Sequence, residues 1–307
     1  MNLRYLQTFI SVAEAGGIAR VGTRLNVSQP AASRQILALE AELDVHLFDR
    51  IGKRLRLTAE GEDLLRQSRR VLMEADLLNA RARALKGGHM GILRVGATPM
   101  AIESTLSVFT SGYQQRYPGV EVRLVEDRGL RLFNRLEQGD VHLALVVPDP
   151  RFCNRLLYPV HNFAVLSPKH RLSCRGVLEV ANLADEPMLL LQRGFGSREW
   201  FDAACDVAHI RPRVLVESAA PHAITALAAV GYGVGVVPST AVIPKGVHAL
   251  PLVQHKKAIG RWLSIAWDPR RSLAAYAQNF VGELVAFCKQ TYPGRDLAQR
   301  APPLPRP

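Results

Sequence analysis

The stretch Asn26-Val-Ser-Gln-Pro-Ala-Ala-Ser-Arg-Gln-Ile36 narrows the choice of fold more than any other in this chain. It predicts a short helix over about 18–25, a tight turn, and a second helix over about 29–43. Ser28 stands where a hydroxyl N-caps the second helix, and Pro30 sits in the first turn, where a missing N–H costs little. Ala31, Ile36, Leu39 and Leu43 recur at helical spacing and mark the core face. Gln29, Ser33, Arg34 and Gln35 remain for solvent, and such side chains on the first turns of a helix suit base edges and phosphates in a major groove. That arrangement is a helix-turn-helix with its recognition helix second, and an ordinary αα-hairpin shares the same pattern. The next segment favours the helix-turn-helix. His46-Leu-Phe-Asp-Arg-Ile-Gly-Lys-Arg-Leu-Arg-Leu-Thr58 alternates apolar and polar residues around Gly52, a two-stranded ribbon carrying Arg50, Lys53, Arg54 and Arg56. A basic wing beside a recognition helix places arginine against phosphates or in a minor groove.

Five blocks carry a family resemblance. They are Asn2-Leu-Arg-Tyr-Leu-Gln-Thr-Phe9, Leu25-Asn-Val-Ser-Gln-Pro-Ala-Ala-Ser-Arg-Gln-Ile36, Leu39-Glu40, Leu47-Phe-Asp-Arg50 and Leu57-Thr-Ala-Glu-Gly61. In order and spacing they resemble the N-terminal signature of the LysR-type transcriptional regulators, and the chain length is that of the whole family. Gly17-Ile-Ala-Arg-Val-Gly22 departs from the pattern, since the family more often has Ser-Phe followed by an Ala-Ala pair there. The resemblance implies an N-terminal all-α winged helix-turn-helix with a long linker helix. It also implies an α/β effector domain of two Rossmann-like subdomains, of the periplasmic-binding-protein type. Gln29, Ser33 and Arg34 would read bases, Pro30 would lie with them on the DNA-binding face, and Arg50, Lys53 and Arg54 would bind the backbone or minor groove.

With 307 residues the chain is long enough for two domains, and 48% hydrophobic with 21% charged residues is a globular composition. The net charge of +12 suits a polyanionic partner. Residues 1–90 hold 14 basic and 10 acidic side chains, or +4, which leaves 25 against 17, or +8, for residues 91–307. Most of the excess therefore lies outside the wing-bearing part and hints at an anionic effector, such as an organic or aromatic acid. Cys153, Cys174, Cys205 and Cys288 form no C-x-x-C or Cys/His cluster and read as free thiols. The N-terminus has no apolar h-region, and no run of about 18 apolar residues appears. A cytoplasmic protein without membrane helices is expected.

Along the chain, Leu3, Leu6, Phe9, Ile10 and Ala13 give the first helix an apolar stripe. Thr58 is placed to cap a long helix with Glu60, Glu62 and Asp63 in its first turn. Leu64, Val71, Leu78 and Leu85 repeat every seven residues, with Ser68, Ala75 and Ala82 between them, which predicts a short coiled-coil seam pairing two copies. A two-fold dimer fits a pseudo-palindromic site on double-stranded DNA, and the family resemblance adds a homotetramer. Gly87-Gly-His-Met-Gly91 is the hinge. The expected domains are thus 1–58 for the winged helix-turn-helix, 59–88 for the linker, and 89–300 for the effector domain, with 301–307 a proline-rich disordered tail.

Beyond the hinge, apolar runs at 92–98, 120–126, 141–147, 162–167, 188–192, 214–217, 235–237 and 262–267 predict strands. Amphipathic stretches at 103–117, 130–138, 197–209, 222–229 and 272–291 predict helices, so a parallel sheet covered on both faces is expected. The resemblance divides these into subdomain I, about 91–160 plus 268–292, and subdomain II, about 161–267. The chain would cross near 158–162 and return near 267–270.

Ligands of open α/β sheets bind beyond the carboxyl ends of the strands. Three loops lie there: Thr98-Pro-Met100, Gln192-Arg-Gly-Phe-Gly-Ser197, and Glu217-Ser-Ala-Ala-Pro-His222. Candidate effector contacts are Thr98, Val147, Arg193, Gly196, Ser197, Ser218 and His222, residue types that also serve plain caps and turns. Gly231-Tyr-Gly-Val-Gly235 lacks the last glycine of a dinucleotide loop and lies between helix and strand, so it reads as a helix end and turn. No metal-ligand spacing, nucleophile elbow or Cys/His nucleophile signature appears, so no cofactor and no enzymatic activity are expected. The competing reading is a small-molecule binding or transport receptor whose first 90 residues serve only assembly. The basic wing opposes it.

Overall fold

The computed structural model describes residues 2–18, 27–51, 54–85 and 90–307. These form two compact units, one made of residues 1–91 with 137–140 and the other of residues 92–136 with 141–307. The helix expected over 18–25 lies, apart from Ile18, outside the described residues, as do Lys53 of the wing and 86–89 of the hinge.

In the N-terminal unit, α1 (Leu3–Ala15) starts at Asn2, whose side chain accepts the Arg4 N–H at 3.0 Å. It ends at Gly16 in the left-handed conformation. Helix α2 spans Gln29–Leu43, as the spacing predicts. Its N-cap is Ser28, but the cap is made through the backbone: the Ser28 hydroxyl forms no capping bond. The core residue of the first turn is Ala32, not Ala31, and Ile36 and Leu39 continue the buried face. Gln35, expected in solvent, accepts a hydrogen bond from the buried Thr8 hydroxyl at 2.6 Å and so ties α2 to α1. Leu6, Phe9, Val12, Ile36, Leu39 and Leu47 form the core.

Strands β1 (Phe48–Ile51) and β2 (Arg54–Leu57) pair antiparallel, with Phe48 opposite Leu57 and Asp49 opposite Arg56. Glu40 anchors this wing, its Oε1 accepting the Leu47 N–H at 2.7 Å and the Phe48 N–H at 3.3 Å. Helix α3 (Ala59–Leu85) comes next. Thr58 caps it as expected, accepting the Gly61 N–H at 2.8 Å and donating to the His46 carbonyl at 2.7 Å. Leu64 and Val71 of the heptad pack on the unit's own core, whereas Leu78 is 71% exposed.

The second unit is built on β3 (Gly91–Ala97), β4 (Val120–Glu126), β5 (Leu143–Val146), β6 (Cys153–Leu166), β7 (Leu178–Glu179), β8 (Pro187–Leu191), β9 (Arg213–Ser218), β10 (Val234–Pro238), β11 (His248–Gln254), β12 (Lys257–Ala258) and β13 (Gly260–Trp267). The main path through the sheet is β4-β3-β5-β13-β6-β10-β8-β9. Its helices are α4 (Ser107–Arg116), α5 (Gly129–Gln138), α6 (Gly196–Val207), α7 (Pro221–Ala229), α8 (Ala275–Gln290) and α9 (Arg295–Ala298). Helices cover both faces: Phe201 of α6 joins one core, and Ile224 and Ala228 of α7 join the core on the other side.

Three expectations do not hold. The sheet is mixed rather than parallel: β3–β5, β8–β9 and β8–β10 are parallel, while β5–β13, β13–β6 and β6–β10 are antiparallel. Fully buried strands carry the same unbroken apolar run in either sense, so their pattern does not encode direction. The return crossing also comes earlier than 267–270, because Ser264–Ala266 of β13 already pair with β5 of subdomain I. Finally, the 301–307 tail is docked and not disordered. Leu304 is 8% exposed, the Pro302 carbonyl lies 3.2 Å from His161 Nε2, and Arg306 covers the Trp262 ring at 5.4 Å. These apolar, polar and cation–π contacts offset the entropy that its prolines alone would leave uncompensated.

Candidate nucleic-acid interface and effector cleft

On α2, Gln29, Pro30 and Arg34 are exposed and Ser33 is half-buried, so the first turns present an amide, a guanidinium and a hydroxyl. Ile36 and Leu39 point inward and fix the helix's rotation. The wing places Arg50 opposite Leu55 and Ile51 opposite Arg54 in the ribbon, and Arg56 is exposed. Glu40 sets the angle between helix and wing, because one carboxylate oxygen holds both N–H groups at the start of the ribbon. In the sequence Glu40 stands out only as part of the Leu39-Glu40 block, without a role.

In the second unit a cavity of about 440 Å³ opens between the two subdomains. Small-molecule sites span roughly 300–1,000 Å³. Helix α4 is approached through Pro99–Ala101 and a π-helical segment, Ile102–Leu106, in which the Ser104 hydroxyl donates to the Met100 carbonyl at 2.6 Å. Such π segments recur at functional sites. Across the cavity, Thr240 donates to the Met100 sulfur at 3.0 Å. Tyr158, at the crossover, shares a 2.5 Å hydrogen bond with Thr105 and stacks on Tyr292 at 5.1 Å.

Of the predicted effector residues, Thr98, Val147, Gly196 and Ser197 line this cavity. Thr98 is also a cap, accepting the Ala101 N–H at 3.3 Å. Arg193 is exposed and outside the lining, with its carbonyl accepting from Arg128 at 3.4 Å. Ser218 and His222 are likewise outside it. The Ser218 hydroxyl accepts the Ala220 N–H at 3.1 Å as a turn cap, and His222 is exposed. The strand-end rule locates the cleft but does not separate residues turned into it from those that close the loops. Phe133, Tyr158, Phe195, Trp200, Thr240 and Leu263 line the cavity without having been expected, since apolar side chains in a cleft read as core in a sequence.

Buried Arg198 fixes the α6 wall. It is 5% exposed and bonds Asp202 at 2.8 Å, Glu217 at 2.6 Å and the Leu191 carbonyl at 2.7 Å. Burial opposes its charge, but the two carboxylates outweigh that and raise its pKa. The buried thiols are inert by the same physics: burial first, with nearby Asp202 and Asp206 at Cys205, pushes Cys205 and Cys288 each up to about 12.

A winged-helix reader of DNA joined to a two-subdomain ligand cleft defines a transcriptional regulator that answers to a small molecule. Residues 3–62 match the family model "Bacterial regulatory helix-turn-helix protein, lysR family", and residues 86–289 match "LysR substrate binding domain". The chain belongs to the LysR family of DNA-binding transcriptional regulators, and it is not an enzyme.

Among its relatives, the HTH-type transcriptional regulator ShiR of Corynebacterium glutamicum is 32% identical over 279 residues, covering 87% of this chain and 92% of ShiR. A probable hydrogen peroxide-inducible genes activator of Mycobacterium avium is 31% identical over 298 residues, covering 96% and 90%. A full-length OxyR variant from Pseudomonas aeruginosa shares the fold with a TM-score of 0.71 at 24% identity, over 95% of each chain. CbnR, solved in complex with its target DNA, does so with 0.63 at 24% identity, over 92% of this chain and 99% of CbnR. No described helix is long and apolar enough to cross a membrane.

Proposed function

We propose that this regulator reads a pseudo-palindromic operator through Gln29, Ser33 and Arg34, with Pro30 on the same DNA-binding face, and grips the sugar-phosphate backbone or minor groove with Arg50, Lys53 and Arg54. The observation that carries this is the split of α2: Gln29, Pro30 and Arg34 are exposed on its first turns while Ile36 and Leu39 anchor it from behind. Effector binding belongs to the cleft lined by Thr98, Val147, Gly196 and Ser197. Two copies pair through α3, pairs assemble into a homotetramer, and the protein acts in the cytoplasm. An effector that closes the cleft shifts the balance between two arrangements of the assembly and so the spacing of its DNA contacts. The receptor reading, in which residues 1–90 serve only assembly, is not favoured, because 3–62 match a DNA-binding family.

The test is footprinting of the full chain on the DNA upstream of its own gene, with Arg34→Ala alongside. Protection over an inverted repeat is expected. The variant should lose about 1–3 kcal/mol of discrimination between that site and random DNA. Equal discrimination by the variant removes the base-reading role from Arg34.

A further inference from the structure

We infer that the cleft takes a neutral, predominantly apolar molecule, and that Arg128 latches the two subdomains over it instead of pairing with a ligand anion. This rests on the reading of the cleft as the effector site. Among the described residues lining the cavity, Glu199 is the only charged one, and no Lys, Arg or His is present. Phe133, Leu145, Val146, Phe195, Trp200 and Leu263 supply an apolar wall on both sides.

Apart from the Ser197 hydroxyl, most polar side chains in the lining are already engaged within the protein. Thr98 accepts from the Ala101 N–H, Ser104 donates to the Met100 carbonyl, Thr240 donates to the Met100 sulfur, and the Tyr158 hydroxyl is paired with Thr105. The two helix starts beside the cavity are the usual places for an anion. At α6 the protein supplies its own: Glu199 sits in the first turn and accepts the Gly194 N–H at 2.8 Å. At the other, Pro99 has no N–H to give, and the N–H of Ala101 is taken by Thr98.

Two arginines beside the lining are committed elsewhere, and Arg193 is exposed and outside it. Arg198 is bound to Asp202, Glu217 and the Leu191 carbonyl. Arg128 reaches across the cleft from the start of α5, donating to Gln192 Oε1 at 3.2 Å and to the Arg193 carbonyl at 3.4 Å, with its guanidinium 5.4 Å from the Phe195 ring centroid. A carboxylate entering here gives up its hydration without a cation to replace it and meets Glu199. A neutral ring loses only apolar hydration, which favours entry. The overall excess of positive charge in this half of the chain is thus not directed at the cavity.

The experiment is calorimetric titration of the full-length protein with paired alcohols and carboxylates of one skeleton: benzyl alcohol and benzoate, 4-phenylbutanol and 4-phenylbutyrate, 1-naphthalenemethanol and 1-naphthoate. At least one alcohol is expected to bind about tenfold or more tightly than its carboxylate, and Val147→Trp, which fills the cavity, to remove that binding. A carboxylate that binds more tightly than its alcohol, or a panel in which no alcohol binds, overturns the proposed class. If Val147→Trp abolishes such carboxylate binding, the cleft remains the effector site and only the ligand class fails. Binding that ignores Val147→Trp removes the cleft as well. Arg128→Ala should release the bound alcohol about tenfold faster while keeping the alcohol-over-carboxylate order. An unchanged release rate in that variant, read by stopped-flow displacement, overturns the latch.

Discussion

Glycine at position 61 is required by one contact. A Cβ there would run into the Leu47 carbonyl oxygen and press on the Thr58 hydroxyl, the two groups that join wing to α3. Gly61→Ala is therefore expected to destabilise the DNA-binding unit by about 1–3 kcal/mol, although alanine is the better helix former. A denaturant midpoint equal to wild type would show that the wing can move aside. His142 is a second position where burial decides. It is 8% exposed, and its Nδ1 accepts the Arg94 N–H at 3.0 Å. Burial, reinforced by Arg94 and Arg271, lowers its pKa from 6.5 to about 4. Above pH 6.5 the ring is neutral in folded and unfolded chains, so the full stability is present there. As pH falls from 6.5 toward 4 only the unfolded chain takes up the proton, and stability declines by roughly 3 kcal/mol in total. Urea titrations across that window should show a smaller decline for His142→Asn, and parallel declines would assign the acid sensitivity elsewhere.

At the scale of elements, α3 divides its heptad between two uses. Leu64 and Val71 are spent on the core of their own unit, which leaves Leu78 for the proposed pairing of copies. Leu78, at 71% exposure, is the one exposed large apolar side chain among the described residues of α3. Leu78→Glu is expected to shift the protein to a lower oligomeric state in sedimentation velocity, and an unchanged sedimentation coefficient would place the pairing elsewhere. The helix itself was legible because its cap, acidic first turn and apolar period agree with one another, and the same agreement made α2, β4 and α7 legible. Strand β6 was half legible. Its second half is legible from the apolar run 163–166, but Cys153–His161 interposes Asn154, Arg155, Pro159 and His161 because it crosses between subdomains and is partly exposed. The π segment at Ile102–Leu106 leaves no mark in the residue pattern, since one extra residue per turn does not change which side chains are apolar. The cavity was legible as a set of loops and illegible as a chemistry: its walls come from strands and helices whose apolar residues look like core.

For the whole molecule, the ligand-binding unit must close over a cavity without losing the pairing of its two halves, and β6 and β13 are the strands that run through both. Their crossover, Tyr158–His161 against Gly260–Leu263, is covered by the end of the chain. Tyr292 stacks on Tyr158, Gly294 packs so closely on Ser239 that no side chain fits, Leu304 lies against Gly260, and Arg306 covers Trp262. Because Leu304 is buried, removing residues 301–307 exposes a leucine-sized surface worth about 1.5–3 kcal/mol together with the bed beneath it. In a unit of this size that corresponds to a lowering of the melting temperature by roughly 3–12 °C. The same truncation leaves the DNA-binding unit's own core untouched, so a two-transition melt should show only the ligand-binding transition displaced. Leu304→Ala should reproduce most of that displacement, which separates the buried side chain from mere chain length. A truncated protein that melts with the wild type would mean that the crossover holds by strand pairing alone, and the cleft would then open and close independently of the C-terminal segment.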